Sequence, residues 1–187
     1  MKVLKVLLIG VLLLQATASI AAAQNWYLGA QLGQALLLGD SRDRVDDGIS
    51  WGMFGGYRVN SHVRLDAALL YSSHDDEVQD LGDYTINILS FTFGPLFSTV
   101  VRKNVQLYGG GGLGIYVIDL TYEPEAQPGT PRDETDGESG IYACAGINFP
   151  LRENRYLGID VRYHHVFEDE LLEGDMITML VRLGFDL

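Results

Sequence analysis

Cysteine is almost absent from this sequence of 187 residues, in which Cys144 is the only example. An unpaired thiol cannot form an internal disulfide, so the fold has to be stable without covalent cross-links. Cys144 occupies an inward-facing position of a predicted strand of small residues, which favours a packing role over a reactive one.

A long apolar run is missing too. The run from Val6 to Leu14 is shorter than the ~20 residues that a membrane-spanning helix needs. It follows Lys2 and Lys5 and precedes small residues at positions 21–23, which is the order of a secretory signal peptide. We predict a signal peptide over residues 1–23, cleaved before Gln24, and one mature domain over residues 24–187. No cysteine stands at this cleavage point, which argues against a lipoprotein anchor.

Basic residues are scarce. The chain has 13 lysines and arginines against 25 aspartates and glutamates, a formal net charge of −12. Loss of Lys2 and Lys5 with the leader makes the mature chain more negative still. A protein surface with this excess of negative charge repels nucleic acid and anionic lipid unless cations bridge the charges. We therefore predict no nucleic-acid partner.

Motifs for metals and cofactors are lacking. No segment has the D-x-[DN]-x-[DN]-G spacing of a calcium loop. Residues 109–114 satisfy G-x-G-x-x-G, but the chain continues there as a strand instead of the helix that would hold a pyrophosphate. His164 and His165 are adjacent, so they face opposite sides of a strand and cannot chelate one metal. We predict no cofactor and no metal centre.

A catalytic triad is not evident either. Such a site needs a histidine close to a serine nucleophile and an orienting acid. His164 and His165 have no nearby serine on the same face, His62 lies in a predicted turn at the other end, and His74 stands beside a serine and an aspartate in a predicted loop. We interpret these histidines as structural and predict no enzymatic activity.

Alternating polarity is what the sequence has in abundance. Two alternating segments within Trp51–Tyr71 are joined by a tight turn predicted at Val59–Ser61. In the second segment Arg64 and Asp66 fall on the face opposite a row of apolar residues, namely Val63, Leu65, Ala67, Leu69 and Tyr71. The other ends of the hairpin run into acidic loops at 39–48 and 74–83. Short turns at one rim and long polar loops at the other indicate a membrane-spanning β-barrel.

The same stretch carries a family resemblance. GMFGGYRVNSHVRLDAALLY at 52–71, together with WYLGAQLGQ at 26–34, resembles the first strands of the OmpA-type outer-membrane β-barrels. The resemblance implies an eight-stranded barrel and no particular activity, because barrels of this size include anchors, adhesins, channels and enzymes. No linker or peptidoglycan-binding domain follows the barrel pattern, unlike full-length OmpA.

We predict an all-β fold, an eight-stranded antiparallel up-and-down transmembrane β-barrel. Outside the hairpin, strands are predicted at about 26–38, 84–97, 107–120, 139–149, 156–167 and 176–187. Ile86 and Ile88 break the phase of their strand, which we interpret as a bulge or a portion outside the membrane. Trp26 and Tyr27 are assigned to an aromatic girdle. The last strand resembles the carboxy-terminal signal read by the outer-membrane assembly machinery, with Leu187 in the place of phenylalanine.

Charge is partitioned between the two rims. All but four of the 25 acids fall in or beside the four long loops, whose only cations are Arg42, Arg44 and Arg132. The opposite rim holds five cations: Arg58, Arg102, Lys103, Arg152 and Arg155. Clustered carboxylates suit hard divalent ions, so contact with lipid and lipopolysaccharide through such ions is a hypothesis.

Charged residues are also predicted inside the barrel. Five of them share the inward faces of the third, seventh and eighth strands: Arg64, Asp66, Asp160, Arg162 and Arg182. Buried charges need partners, so we predict an ion-pair network in the lumen. We expect it to plug the bore, because side chains just fill the space within eight strands.

Three functions are compatible with this sequence. The first is a non-enzymatic, monomeric outer-membrane barrel with a structural or surface-interaction role, presenting four acidic extracellular loops. The alternative is a small, mostly plugged channel for ions or small solutes, which the polar lumen favours. A lipid A-modifying enzyme is the least favoured, since the triad is missing.

Overall fold

The computed structural model describes residues 25–38, 47–78, 82–101, 105–124, 132–152, 154–167 and 175–187. The predicted signal peptide lies outside these residues. No helix long and apolar enough to cross a membrane occurs in the described ranges.

Eight antiparallel strands form one closed barrel, as predicted. Their bounds are β1 Trp26–Leu37, β2 Gly48–Arg58, β3 Val63–Val78, β4 Gly82–Val100, β5 Gln106–Pro124, β6 Arg132–Arg152, β7 Arg155–Val166 and β8 Asp175–Asp186. Each strand pairs with the next one along the chain, and β1 closes the barrel against β8, with Leu32 opposite Val181. Closure removes the sheet edges over the part of the barrel where all eight strands pair.

The alternating sequence places apolar residues on the outside. β7 shows this cleanly, since every second residue from Tyr156 to Val166 is buried and the residues between them are exposed. We call the outward apolar side chains the outer apolar band; they include Leu32, Met53, Leu65, Leu89, Phe91, Phe93, Phe97, Leu107, Leu113, Ile115, Val117, Ile141, Phe149, Ile159, Val161, Val181 and Leu183. A band of this kind is stable only against lipid.

Short turns define one end of the barrel, called here the turn end. Between β2 and β3 the chain turns over Val59–His62, which is four residues and not the predicted three. The Asn60 carboxamide oxygen accepts hydrogen bonds from the amides of His62 and Val63, at 2.8 and 2.9 Å. This capping stabilises the longer turn. The opposite end is called the loop end.

The bulge proposed as one alternative for Ile86 and Ile88 was wrong, and so was the assignment of Tyr27 to an aromatic girdle. Ile86 and Ile88 do not mark a bulge, because β4 keeps its register with β3 and both side chains point into the lumen. Tyr27 is not part of a girdle: it is 2% exposed and faces the lumen, while Trp26 packs edge-on against Tyr57 outside. The alternation therefore continues unbroken, and some inward positions are simply apolar.

Strand length also differs from prediction. β1, β2, β7 and β8 have 11 or 12 residues, whereas β3, β4, β5 and β6 have 16, 19, 19 and 21. Residues predicted in the second and third loops, among them Asp75 and Asp136, lie on paired strands instead. His74 is likewise a buried residue of β3, not a loop residue. The predicted loop acids at 40–46, 80, 125 and 168–173 lie outside the described residues.

Candidate functional site

The middle of the lumen is occupied by charged side chains centred on Asp160. Its Oδ1 accepts a hydrogen bond from Arg162 Nε at 2.6 Å, and its Oδ2 accepts from Arg182 Nη1 at 3.1 Å. The Tyr108 hydroxyl donates to the same Oδ2 at 2.5 Å. Asp160 is therefore fully engaged, with two guanidinium groups and one phenol around one carboxylate.

Asp66 is the second carboxylate of the group. It accepts from Tyr27 at 2.7 Å, and the Nη2 atoms of Arg162 and Arg182 each approach it at 3.4 Å. These two contacts are at the long end of hydrogen-bond range, so they act mainly as ion contacts. The two aspartates and two arginines form a closed ring of alternating charge, which we call the lumen ring.

Neutral groups complete the lumen ring. Arg162 Nη1 donates to Thr92 Oγ1 at 3.1 Å, and the Arg182 guanidinium lies 3.6 Å from the centroid of the Phe54 ring. The four charged side chains are at most 1% exposed. Removing ions from water costs several kcal/mol each, so the ring is stable only while each charge keeps its opposite partner.

Arg64, the fifth predicted member, is placed differently. Among the described residues it makes no ion pair, and its guanidinium lies 4.4 Å from the centroid of the Tyr108 ring and 5.4 Å from that of Tyr27. The structure thus brings four of the five predicted residues into ion contact and sets Arg64 beside them. That the group closes the bore to solutes stays a prediction.

Apolar side chains fill the lumen towards the loop end. This outer lumen cluster consists of Ala35, Leu37, Ile86, Ile88, Tyr116, Ile118, Val166 and Met176. Leu120 packs against it from above. Sequence reasoning missed this cluster, since it assumed that inward positions of a barrel are polar.

His164 lies beside the outer lumen cluster. It is fully buried, its Nδ1 is 3.0 Å from the Tyr116 hydroxyl, and its Nε2 is 3.3 Å from Thr178 Oγ1. His165 faces outwards and contacts Asp175 Oδ1 through Nδ1 at 2.6 Å. At the loop end, outside the membrane-spanning part, hydrogen bonds from Tyr163 and His165 lower the pKa of Asp175.

A serine–histidine contact does occur, at the turn end. Ser61 Oγ and His62 Nδ1 are 2.8 Å apart in the exposed β2–β3 turn. In the described part of the chain no acid is hydrogen-bonded to His62, so the pair lacks the orienting group of a triad. No cluster of three metal-ligating side chains is found among the described residues.

The lumen contains a cavity of about 390 Å³ at the turn end. Its wall includes Arg58, Arg64, Gln106, Asn148 and Asp186. The sequence did not predict it, because it depends on how far each side chain reaches into the bore.

The last feature lies at the loop end, where four strands extend further than the other four. We call residues 73–78, 82–87, 119–124 and 132–139 the raised sheet; they continue β3–β6 beyond the outer apolar band. Where its side chains are described, the outward ones are polar and several bond between strands, with Asn87 Oδ1 accepting from Tyr71 at 2.6 Å and from Ser73 at 2.8 Å. Six residues of β5 extend about 20 Å along the strand at ~3.3 Å each.

Comparison with known proteins agrees with this geometry. Residues 6–185 match the family described as outer membrane protein beta-barrel domain. No curated protein matches the sequence.

Solved structures with the same fold are outer-membrane proteins. Neisserial surface protein A is 14% identical with a TM-score of 0.62, covering 87% of this chain and 97% of its own. The attachment invasion locus protein Ail of Yersinia pestis is 16% identical with a TM-score of 0.56, covering 86% and 95%. OprG of Pseudomonas aeruginosa is 13% identical with a TM-score of 0.52, covering 87% and 95%. Likeness at these identities establishes a shared fold. With the family match over nearly its whole length, the chain belongs to the outer-membrane β-barrel family and is a protein of the cell outer membrane.

Proposed function

We propose that this protein is a closed, non-enzymatic barrel that presents the raised sheet as an interaction surface outside the outer membrane. The observation that carries the proposal is the raised sheet itself. Four strands continue past the outer apolar band while keeping their pairing, so that a shaped polar surface stands clear of the lipid.

The filled lumen supports the same proposal. The lumen ring and the outer lumen cluster occupy successive levels of the bore, and between them they include residues of β3, β4 and β5, three of the four strands from which the raised sheet extends. Two of the proteins with this fold are named for a surface or attachment role, which is a property of those proteins. Transfer of such a role to this chain is part of the proposal.

Acidic side chains give the raised sheet its chemistry. Asp75, Asp119 and Asp136 are exposed, and the first and second accept hydrogen bonds from Thr85 and Thr135. We propose lipopolysaccharide as the partner, with divalent cations bridging its phosphates to these carboxylates. A monomer is sufficient for this arrangement.

The test measures binding of lipopolysaccharide to the nanodisc-embedded protein, with magnesium present and after its removal by EDTA. Replacing Asp75, Asp119 and Asp136 by asparagine removes three charges from the raised sheet. We expect magnesium-dependent binding to weaken at least fivefold, while Glu153→Gln, between β6 and β7 at the turn end, leaves it unchanged. Equal binding by all variants, with or without magnesium, would refute the proposed partner.

A channel is the second candidate. The observation in its favour is the cavity of about 390 Å³ at the turn end, where the bore is not filled. Opening a path would further require displacement of the lumen ring and the outer lumen cluster. Ion conductance distinguishes this candidate from the closed barrel.

A lipid A-modifying enzyme has less support. Its chemistry belongs at the outer leaflet, whereas the Ser61–His62 pair lies in a turn at the opposite end of the barrel. His164 is held inside the lumen by Tyr116 and Thr178. We therefore keep the proposal that the protein is not an enzyme.

A further inference from the structure

The cavity at the turn end contains a cation that has no counter-ion among the residues that the structure describes. Arg64 lines this cavity and is 3% exposed. Its Nε and Nη2 atoms have no hydrogen-bond partner among the described residues. A guanidinium group stays charged at every physiological pH, so deprotonation cannot relieve this burial.

Aromatic faces are the only described contacts of the Arg64 charge. The guanidinium carbon lies 4.4 Å from the Tyr108 centroid and 5.4 Å from that of Tyr27. Such contacts stabilise a cation less than leaving its charge unpaired and buried destabilises it. The position is therefore suited to an additional anion.

The rest of the cavity wall does not supply that anion. Asp186 is the one described acid in the wall, and it already pairs with Arg58 at 2.5 Å. Arg155, also in the wall, stacks on Phe185 at 5.6 Å from the ring centroid and makes no ion pair in the described ranges. The cavity thus has a net positive charge.

Polar amides line the side of the cavity formed by β4, β5 and β6. Gln106 donates to Ser98 Oγ at 3.1 Å and accepts from Asn148 Nδ2 at 3.2 Å. The Oδ1 atom of Asn148 is buried and has no partner among the described residues. An unpaired acceptor and unpaired donors on residues that line one cavity fit a ligand that both accepts and donates hydrogen bonds.

We propose that the turn-end cavity binds one phosphate group, with Arg64 as the principal cation. Phosphate offers several acceptor oxygens to the Arg64 nitrogens, and a protonated phosphate oxygen can donate to Asn148 Oδ1. The cavity, at about 390 Å³, has room for such a group with its water. Its source is either inorganic phosphate in the periplasm or the headgroup of an inner-leaflet phospholipid.

The experiment observes the arginine Nε–H signals by NMR, with the folded protein in a maltoside detergent that has no phosphate. Sodium phosphate is added at constant ionic strength, balanced with sodium chloride. We expect a saturable shift of the Arg64 signal, identified by its loss in Arg64→Lys. The signals of Arg162 and Arg182 should stay in place, because those side chains are held in the lumen ring.

Calorimetry with inorganic phosphate gives the affinity. We expect Arg64→Met to weaken binding at least tenfold, and Arg132→Gln, the same loss of charge at the loop end, to leave it unchanged. If Arg64→Met does not fold, the NMR titration of the wild type still decides the matter.

A second set of samples identifies the source of the phosphate group. The protein is transferred from maltoside into nanodiscs containing phosphatidylglycerol. A shift of the Arg64 signal on this transfer, without a response to inorganic phosphate, supports a lipid headgroup; a response to inorganic phosphate in maltoside supports the free anion. An Arg64 signal that responds to neither would overturn the proposal. These readouts do not involve the raised sheet, so they are independent of the proposed surface role.

Discussion

Arg162 Nη2 and Asp66 Oδ2 meet across the bore at 3.4 Å, although β7 and β3 lie on opposite sides of the eight-stranded barrel. Arg162 also holds Asp160 on its own strand, at 2.6 Å. The lumen ring therefore ties opposite walls to each other. A contact between neighbouring strands would not do this, since backbone pairing already joins them.

Loss of one charge from the lumen ring should destabilise the barrel. Asp160→Asn preserves shape but leaves Arg162 and Arg182 without half of their counter-charge. Because breaking a buried ion pair leaves an uncompensated charge in the lumen, we expect the free energy of unfolding to fall by about 3–5 kcal/mol. Urea unfolding in lipid vesicles measures this change.

The matched control is Asp47→Asn, at an exposed position just before β2. It removes the same charge, and we expect the free energy of unfolding to change by no more than about 0.5 kcal/mol. Equal unfolding midpoints for the two variants would show that the lumen ring contributes nothing to stability.

Glycines opposite the inner tyrosines should resist substitution. A Cβ atom at Gly146 would lie 2.3 Å from the Tyr108 ring and 2.5 Å from the Ile159 carbonyl oxygen. Gly146→Ala must displace Tyr108, whose hydroxyl donates a hydrogen bond to Asp160. We therefore expect the free energy of unfolding to fall by about 1–3 kcal/mol. Gly137→Ala is the control, since nothing lies within 4 Å of its Cβ position. Equal urea midpoints for the two alanine variants would contradict the packing described for Tyr108.

The outward face of β5 should tolerate a charged substitution only where the strand extends beyond the lipid. Leu113 is 70% exposed on β5, and Thr121 follows on the same face of the same strand within the raised sheet. We expect Leu113→Lys to lower the free energy of unfolding by about 2–4 kcal/mol and Thr121→Lys to lower it by about 0–1 kcal/mol. Urea unfolding in vesicles measures both changes. A Thr121→Lys variant as unstable as Leu113→Lys would place the raised sheet inside the membrane instead.

Alternation was enough to predict the barrel, and the misreading of Ile86 and Ile88 has one cause. The period of two tells which residues share a face, but not what that face contacts. Ile86 and Ile88 looked out of phase only because inward residues were assumed to be polar. They are in phase, and the outer lumen cluster gives them apolar neighbours.

The ends of strands were harder to predict, because pairing above the membrane leaves no apolar signal. Asp75 and Asp136 are polar and acidic, which is typical of loops, yet each continues a paired strand. Within the lumen, the charge pattern selected five inward residues, four of which make ion contacts, but it could not assign their partners. Tyr27 and Tyr108 were missed as partners of the aspartates, although both alternate in phase with inward positions.

Ion conductance across a planar lipid bilayer tests the closed lumen most directly. The folded protein is inserted after its heat-dependent gel mobility shows that a barrel has formed, and a channel-forming peptide added afterwards shows that the membrane responds. We predict no discrete current steps from the protein, because the lumen ring and the outer lumen cluster occupy the bore. Regular current steps from the folded wild type would contradict the closed barrel and favour the channel.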